Sequence, residues 1–369
     1  MQLRDDLIRI KQHAESRLWD AFAIDEDDVM DAWDVRTLFV VVGLVIGVLY
    51  GLVAQATRFC VRRGVTDLAE GRGGETLTGW LGALLIAVPM TQWMMLDGHL
   101  SQEGMVYFPA SLSLVTTLIG AVLFGTGMIL TRGCPARLLV LAGSGNLRAW
   151  FGLLVIGVTA YATFRGLFAQ TRVDLQAMGA VSLPQTSVFM WVEDATVPLL
   201  IVATVILGFF ALRHGLNRSL IGGLAVGVLV AGAWSTTSVI GADDFDPMPA
   251  MSLSFVAPIG EAMTYMQLAS GLEPSFNVTL VLGVLVGSAL MAMVRGEWAL
   301  QTFENAADHA RYFLGAALMG IGGILALGCN TGQAITGLST GSLWSVIVSA
   351  VILVTGFWAH RLIVMRGAS

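Results

Sequence analysis

Charged residues are scarce in this sequence: they make up 12% of its 369 residues, and lysine occurs once, as Lys11. A soluble globular domain has about twice that charged fraction, so the composition argues against a soluble protein. Hydrophobic residues account for 56% of the chain and lie in long runs, with most arginines between the runs. This distribution is typical of a membrane protein with several spans. The net charge of −6 argues against nucleic acid as a partner.

Cysteine is also scarce, with three residues and no Cys-x-x-Cys pair. Any pairing leaves one cysteine over, which argues against a disulfide-stapled fold or a thioredoxin-like pair. The five histidines stand singly, which disfavours a haem or zinc subunit. Methionines such as Met90, Met94 and Met95 are common filler in apolar helices, with copper binding as the alternative. We expect no metal and no cofactor.

The apolar runs predict an all-α polytopic membrane protein with about nine transmembrane helices, because about 20 apolar residues are needed to cross the hydrocarbon core. Glycines three or four residues apart within the runs, such as Gly43 and Gly47, predict closely packed helices. The predicted spans are 37–56, 77–97, 112–131, 149–168, 197–213, 219–240, 276–294, 312–328 and 343–360.

The spans fall into two transmembrane halves, 37–168 and 197–360, joined by segment 169–196. Before them lies an acidic N-terminal tail, 1–36, whose leucine spacing favours an amphipathic helix, with a partly ordered tail as the alternative. After them comes a short basic C-terminal tail, 361–369.

Charge also predicts how the chain is oriented in the membrane. The loops 98–111 and 241–275 are acidic and carry no Lys or Arg, whereas arginines flank the opposite ends of the spans. Because basic loops stay on the cytoplasmic side, we expect the arginine-rich side to face the cytoplasm.

Two distant segments share one pattern. Leu-Phe-Gly-Thr-Gly-Met-Ile-Leu-Thr-Arg-Gly-Cys at 123–134 matches Leu-Met-Gly-Ile-Gly-Gly-Ile-Leu-Ala-Leu-Gly-Cys at 318–329. In the predicted order of spans they lie on the third and eighth helices, which cross the membrane in opposite directions. The sequence therefore predicts an inverted repeat, a plan in which interrupted helices form a transporter's substrate site.

Each repeat ends at a Gly-Cys junction, which predicts a broken helix followed by a short re-entrant one. Gly133 is suited to stop a helix, and Pro135 fits the first position of the next. After Gly328 and its cysteine, Asn330 is predicted to cap the matching short helix. Two helix N-termini aimed at one point offer free N–H groups and positive dipole ends, which suit an anion.

The third cysteine, Cys60, follows the first span within Thr-Arg-Phe-Cys-Val-Arg-Arg. Its neighbours Arg58, Arg62 and Arg63 are suited to gather anions, although basic residues at a span end are also what the positive-inside rule predicts. An isolated cysteine in an apolar helix usually packs as a small hydrophobic residue.

These motifs resemble the YeeE/YedE family of bacterial inner-membrane sulfur-transport proteins, in which a glycine-rich helix ending in Gly-Cys occurs once in each half. Arg58-Phe59-Cys60 resembles the family's early cysteine motif. The paired motifs are Gly133-Cys134-Pro135 with Gly143-Ser144-Gly145-Asn146, and Gly328-Cys329-Asn330-Thr331-Gly332-Gln333 with Gly337-Leu338-Ser339-Thr340-Gly341.

The resemblance implies uptake of thiosulfate, or a related small sulfur anion, through the inner membrane, by a transporter and not an enzyme. It also implies a small cytoplasmic sulfur-carrier protein as a partner, beside the lipid bilayer. Transport of a selenium compound, or a scaffold for a sulfurtransferase system, are the alternatives. The implied path residues are Cys60, Cys134 and Cys329, and the implied supporting residues are Gly133, Pro135, Gly328, Asn330, Gln333 and Arg58.

Overall fold

The computed structural model describes most of the chain. Within it the protein is almost entirely helical, with one short antiparallel pairing of β1 (Leu112–Ser113) and β2 (Ala180–Val181). The amphipathic helix predicted near the N-terminus and the end of the C-terminal tail lie outside the described residues. The residues described are 34–72, 74–109, 111–182, 187–191, 196–213, 215–242, 247–303 and 306–365.

Thirteen α-helices lie in the described residues, and two π-helical segments, Gly332–Gly337 and His360–Met365, precede and follow the last of them. The helices are α1 (Val35–Thr57), α2 (Val61–Ala69), α3 (Leu77–Leu96), α4 (Leu114–Leu130), α5 (Pro135–Gly143), α6 (Leu147–Phe164), α7 (Ala169–Ala177), α8 (Thr196–Leu212), α9 (Arg218–Ile240), α10 (Val256–Leu268), α11 (Phe276–Val294), α12 (Ala306–Leu325) and α13 (Leu343–Ala359).

The helices are those of a multi-pass membrane protein, which confirms the predicted fold class. The predicted count of nine spans is not confirmed. In the described residues seven segments are long and apolar enough to cross a membrane, and α8 is a shorter apolar helix. The predicted span 312–328 falls largely on α12, which begins with polar residues that include Asp308 and Arg311. The seven segments are Val35–Ala69, Gly74–Leu96, Leu114–Gly143, Leu147–Phe164, Arg218–Ile240, Phe276–Val294 and Leu343–Ile363.

The helices repeat in the same order. From α1 to α6, the chain forms a long helix, a short helix, two long helices, a short helix and a long helix, and the same order returns from α9 to α13 with Gly332–Gly337 as the second short element. The packing follows this correspondence: α1 lies against α11 as α3 lies against α9, and α4 lies against α13 as α6 lies against α12.

The centre of the repeat is the crossing of α4 and α12. A Cβ at Gly120 would lie 2.9 Å from the Gly322 carbonyl oxygen, and one at Gly127 would lie 2.5 Å from that of Gly315. Gly120 is equivalent to Gly315, and Gly127 is equivalent to Gly322, each 195 residues further along the chain. The repeat therefore maps one of these two contacts onto the other. The contacts proceed from Gly120 to Gly127 along α4 but from Gly322 to Gly315 along α12. The two helices are therefore antiparallel, as an inverted repeat requires.

Glycine also brings α1 against α11. A Cβ at Gly47 would lie 2.4 Å from the Leu280 carbonyl oxygen, and a Cβ at Gly283 would lie 2.5 Å from the Leu44 carbonyl oxygen. Small residues at this spacing let two backbones approach closely, as the sequence pattern predicts.

An extended segment, 247–255, enters the protein between α9 and α10. Thr237 holds it, since its Oγ1 donates to the Met251 carbonyl at 2.7 Å and accepts from the Met251 N–H at 2.9 Å. Ser252 Oγ donates to the Val230 carbonyl at 3.0 Å, and Thr336 Oγ1 donates to the Leu253 carbonyl at 2.7 Å. Non-helical backbone at membrane depth needs such partners because it has no water to bind.

Candidate functional site

Four short helical elements begin inside the protein, two from each half. Cys60 is the N-cap of α2 and Cys134 is the N-cap of α5. Cys329 directly precedes the helical turn that leads into Gly332–Gly337, and Phe255 is the N-cap of α10. Three of the four starts therefore carry a thiol, and the fourth carries an aromatic ring. Helix starts present N–H groups without intrahelical partners, which favour negative charge.

Each cysteine follows a left-handed turn by two residues. Arg58, Arg132 and Leu327 have φ values of 57°, 54° and 56°, and they are the non-glycine residues with positive φ in the described part of the chain. Residues other than glycine rarely adopt this conformation, and it concentrates at functional sites. The turn ends one helix and places the thiol at the start of the next.

The sequence assigned the stop of α4 to Gly133, but the left-handed residue is its neighbour Arg132. Pro135 occupies the first turn of α5, as predicted. Gly328 has a φ of 157°, and a Cβ there would lie 3.1 Å from Cγ of Gln333. A side chain at Gly328 would therefore press on the glutamine that lies beside it.

The predicted cap at Asn330 is wrong. Asn330 is itself the first helical residue, and its Nδ2 lies 3.6 Å from the sulfur of Met128. The cap is Cys329, whose Sγ accepts a hydrogen bond from the Gly332 N–H at 3.3 Å. A capping acceptor must come from the residue before the helix, and the left-handed turn puts the thiol there.

Gln333 closes the helix that precedes Cys329. Its Nε2 donates to the carbonyl oxygens of Ala326 and Leu327, each at 3.0 Å. These carbonyls lie in the turn directly after α12, where no further helical turn follows to bind them. Gln333 thus ties the end of α12 to the short element that begins after Cys329.

The three cysteines come together in the interior. All are free, with Cys134 and Cys329 buried and Cys60 half-buried. The thiols of Cys60 and Cys134 lie next to each other. Tyr50 of α1 lies within electrostatic range of all three cysteines, and its hydroxyl lies next to the side chain of Thr331.

Cys329 is surrounded by groups from two separate segments of the second half. Besides the N–H of Gly332, which donates to its sulfur, the backbone of Phe255 and the side chain of Ser254 lie beside this thiol. Two helix starts, those of α10 and of the Gly332–Gly337 element, therefore meet at one thiol. Converging N–H groups are the arrangement that proteins use to hold anions.

A cavity of about 600 Å³ opens beside Cys60. We call it the arginine vestibule; six arginines and three acidic residues line it, so its charge is positive. Arg58 points one guanidinium nitrogen at Glu297, 3.4 Å away, and Glu297 also accepts from Gln55 at 3.0 Å. A concave positive surface raises the local concentration of anions. The arginines are Arg58, Arg62, Arg63, Arg72, Arg132 and Arg137.

A second cavity, of about 230 Å³, reaches the other end of the cysteine group. Its wall includes Tyr107, Ser254 and Gly328, next to Cys329, and the loops that the sequence predicted to lie opposite the arginines. Burial raises the pKa of the Tyr107 hydroxyl, which therefore stays protonated as a hydrogen-bond donor. The cysteines thus lie between two cavities that open on opposite faces.

Sequence reasoning missed Tyr50, Ser254, Phe255 and Thr331. Thr331 lay inside a motif that was already identified, but its hydroxyl carried no separate signal. Tyr50 lies in an apolar run, where a tyrosine is ordinary. In the described residues no group of three His, Cys, Asp or Glu side chains is arranged to hold a metal ion.

Comparison with known proteins identifies the family. A family profile described as "Sulphur transport" matches residues 56–359. A protein named "Thiosulfate transporter TsuA" from Spirochaeta thermophila is 27% identical over 344 residues, which cover 88% of this chain and 98% of that relative. A protein of the same name from Escherichia coli (strain K12) is 25% identical over 341 residues, which cover 86% of this chain and 92% of the relative. The family predicted from the Gly-Cys motifs is confirmed, and the chain belongs to the sulphur transport family of membrane proteins.

Proposed function

We propose that this chain imports thiosulfate through the bacterial inner membrane, and that the anion passes along Cys329, Cys134 and Cys60. The observation that carries the proposal is the position of three free thiols around Tyr50, between two cavities on opposite faces. The names of the two relatives support thiosulfate as the substrate.

Weak binding at several places in series suits this task. A path for ions must attract the ion enough for it to enter and hold it weakly enough for it to leave. Each thiol is a weak S–H donor, so no single cysteine traps the anion. Because the anion crosses without any bond being made or broken, the chain acts as a transporter and not as an enzyme, and no cofactor is needed.

The supporting residues shape the turns that carry the cysteines. Gly133 and Pro135 bring the chain from one helix to the next on either side of Cys134. Gly328, Asn330 and Gln333 surround the turn at Cys329 in the same way.

We place the arginine vestibule on the cytoplasmic side, because basic residues favour that side of the membrane. An anion that has passed Cys60 then meets arginines at the exit, with Arg58 and its partner Glu297 beside it. A small cytoplasmic sulfur-carrier protein is the partner that we propose for this face, and co-purification with the full-length chain tests it.

Uptake of thiosulfate with labelled sulfur into vesicles that contain only this protein tests the function. We expect uptake by the wild type and its loss in Cys60→Ala, Cys134→Ala and Cys329→Ala. Thr236→Ala is the matched control, since its hydroxyl bonds only within its own helix, to the carbonyls of Gly232 and Ala233.

Wild-type uptake in all three cysteine variants would contradict the path along the thiols, and a wild type that does not take up thiosulfate would contradict the proposed substrate. Competition by unlabelled selenium oxyanions, measured in the same vesicles, separates the selenium alternative from thiosulfate. A scaffold predicts no uptake by any form of the protein.

A further inference from the structure

Tyr50 lies among the three thiols but belongs to neither Gly-Cys motif. It is only 2% exposed, on the long helix α1. Its ring packs against Phe255, with ring centroids 5.1 Å apart. Its hydroxyl lies next to the side chain of Thr331, the second residue after Cys329. Both ends of the side chain are therefore held, the ring by α10 and the hydroxyl by the turn at Cys329.

A dry interior makes a strong donor valuable at this point. An anion that leaves water must find hydrogen-bond donors to replace it. Thiols are weak donors, whereas a phenolic O–H is a donor of ordinary strength. Tyr50 thus offers the anion a stronger hydrogen bond than the cysteines do, and it lies within electrostatic range of all three of them.

The hydroxyl also suits one class of anion. A sulfur oxyanion such as thiosulfate has oxygen atoms, which accept strong hydrogen bonds, as well as a terminal sulfur that matches a thiol. A site that pairs a phenol with thiols can bind both ends of such an ion at once. Bonds to charged groups are among the stronger hydrogen bonds in proteins.

We propose that the Tyr50 hydroxyl donates a hydrogen bond to an oxygen atom of the anion while its terminal sulfur passes from Cys329 to Cys134, and that Thr331 positions this hydroxyl. This inference rests on the proposed function and deepens it. Tyr50 then selects for anions that carry both oxygen and sulfur, and Thr331 acts through Tyr50 as a positioning residue.

The test is labelled thiosulfate uptake in vesicles, measured as half-saturation concentration and maximal rate. Tyr50→Phe keeps the ring against Phe255 and removes only the hydroxyl. We expect its half-saturation concentration to rise by roughly 10- to 100-fold, the loss of a hydrogen bond to a charged group. Tyr161→Phe on α6 is the matched control and is expected to behave as the wild type.

Two substitutions at Thr331 separate positioning from packing. Thr331→Ser keeps a hydroxyl and is expected to lie closer to the wild type than Thr331→Val, which removes it. Because both residues act on one bond, the double variant of Tyr50→Phe with Thr331→Val is expected to lose little more than Tyr50→Phe alone.

A half-saturation concentration within about twofold of the wild type in Tyr50→Phe, with uptake abolished by the cysteine variants, overturns the inference and leaves the proposed function standing. Fully additive losses in the double variant overturn the role of Thr331. If the wild type takes up no thiosulfate, the proposed function itself fails.

Discussion

Arg132 and Leu327 adopt the same left-handed backbone conformation, with φ of 54° and 56°, although 195 residues separate them. Each lies between the end of a long helix and a cysteine two residues later. A non-glycine residue held in this region costs about 1–3 kcal/mol, so the surrounding fold must enforce it. Both halves of the inverted repeat therefore contain the same energetically costly turn, and in each half this turn ends a helix two residues before a cysteine.

Changing Leu327 tests this turn. Leu327→Val is expected to lower the free energy of unfolding by about 2 kcal/mol, because β-branched residues tolerate a positive φ least. Leu327→Gly is expected to be the more stable of the two variants, since glycine adopts the conformation freely. Thermal unfolding in detergent, followed by tryptophan fluorescence, measures both. Leu282→Val on the exposed face of α11 is the control. A Leu327→Val protein as stable as this control would contradict the proposed backbone strain at Leu327.

The helix crossing at the centre of the repeat predicts a second stability change. In Gly127→Ala the new Cβ would lie 2.5 Å from the Gly315 carbonyl oxygen and 2.9 Å from Cγ of Met319. We expect a loss of about 1–3 kcal/mol, because the helices must separate to admit the methyl group.

Gly232→Ala is the matched control for the glycine crossing. A Cβ at Gly232 meets nothing within 4 Å, so alanine there is expected to stabilise the helix by about 0.5–1 kcal/mol. If the melting temperatures of Gly127→Ala and Gly232→Ala change in the same direction relative to the wild type, the close contact between α4 and α12 is contradicted.

Gln333 gives a prediction about the end of α12. Gln333→Leu leaves the Ala326 and Leu327 carbonyl oxygens without their side-chain donor, which costs about 1–3 kcal/mol when such groups are buried. Because these residues lead into Cys329, we also expect slower thiosulfate uptake. Gln170→Leu on the exposed surface of α7 is the control, and equal uptake by the two variants would refute the coupling.

The orientation of the arginine vestibule is tested by labelling from one side of the membrane. Arg72→Cys is expected to react with an impermeant maleimide only from the cytoplasmic side, and Glu103→Cys only from the opposite side, because basic residues favour the cytoplasm. Labelling of the unaltered protein measures the background from the native cysteines. The reverse pattern would invert the proposed direction of the path.

Much of the architecture follows from local pattern. Long apolar runs predicted most of the spanning helices, and the repeat of the Gly-Cys segments predicted two antiparallel helices, α4 and α12. Glycines such as Gly47 predicted close contacts between helices because their spacing places them on one face. The predicted count of nine spans is not confirmed, since a helix such as α12 carries polar residues in its first turns.

The candidate site was predictable only in part. The cysteines and Pro135 were found from their motifs. The cap at Asn330 was predicted wrongly, because side-chain preference favours asparagine while the left-handed turn at Leu327 places the thiol of Cys329 in the capping position. Leucine and arginine have no preference for a positive φ, so the turns at Leu327 and Arg132 could not be predicted from residue type.

The sequence by itself determined a membrane protein of helices, an inverted repeat and a thiol at each Gly-Cys break, because hydropathy, periodicity and repetition can be read from neighbouring residues. Only the tertiary structure decided that Tyr50 and Phe255 meet those thiols and that two cavities approach them from opposite faces. Contacts between residues some 200 positions apart depend on how the helices pack, and local sequence carries no signal for them.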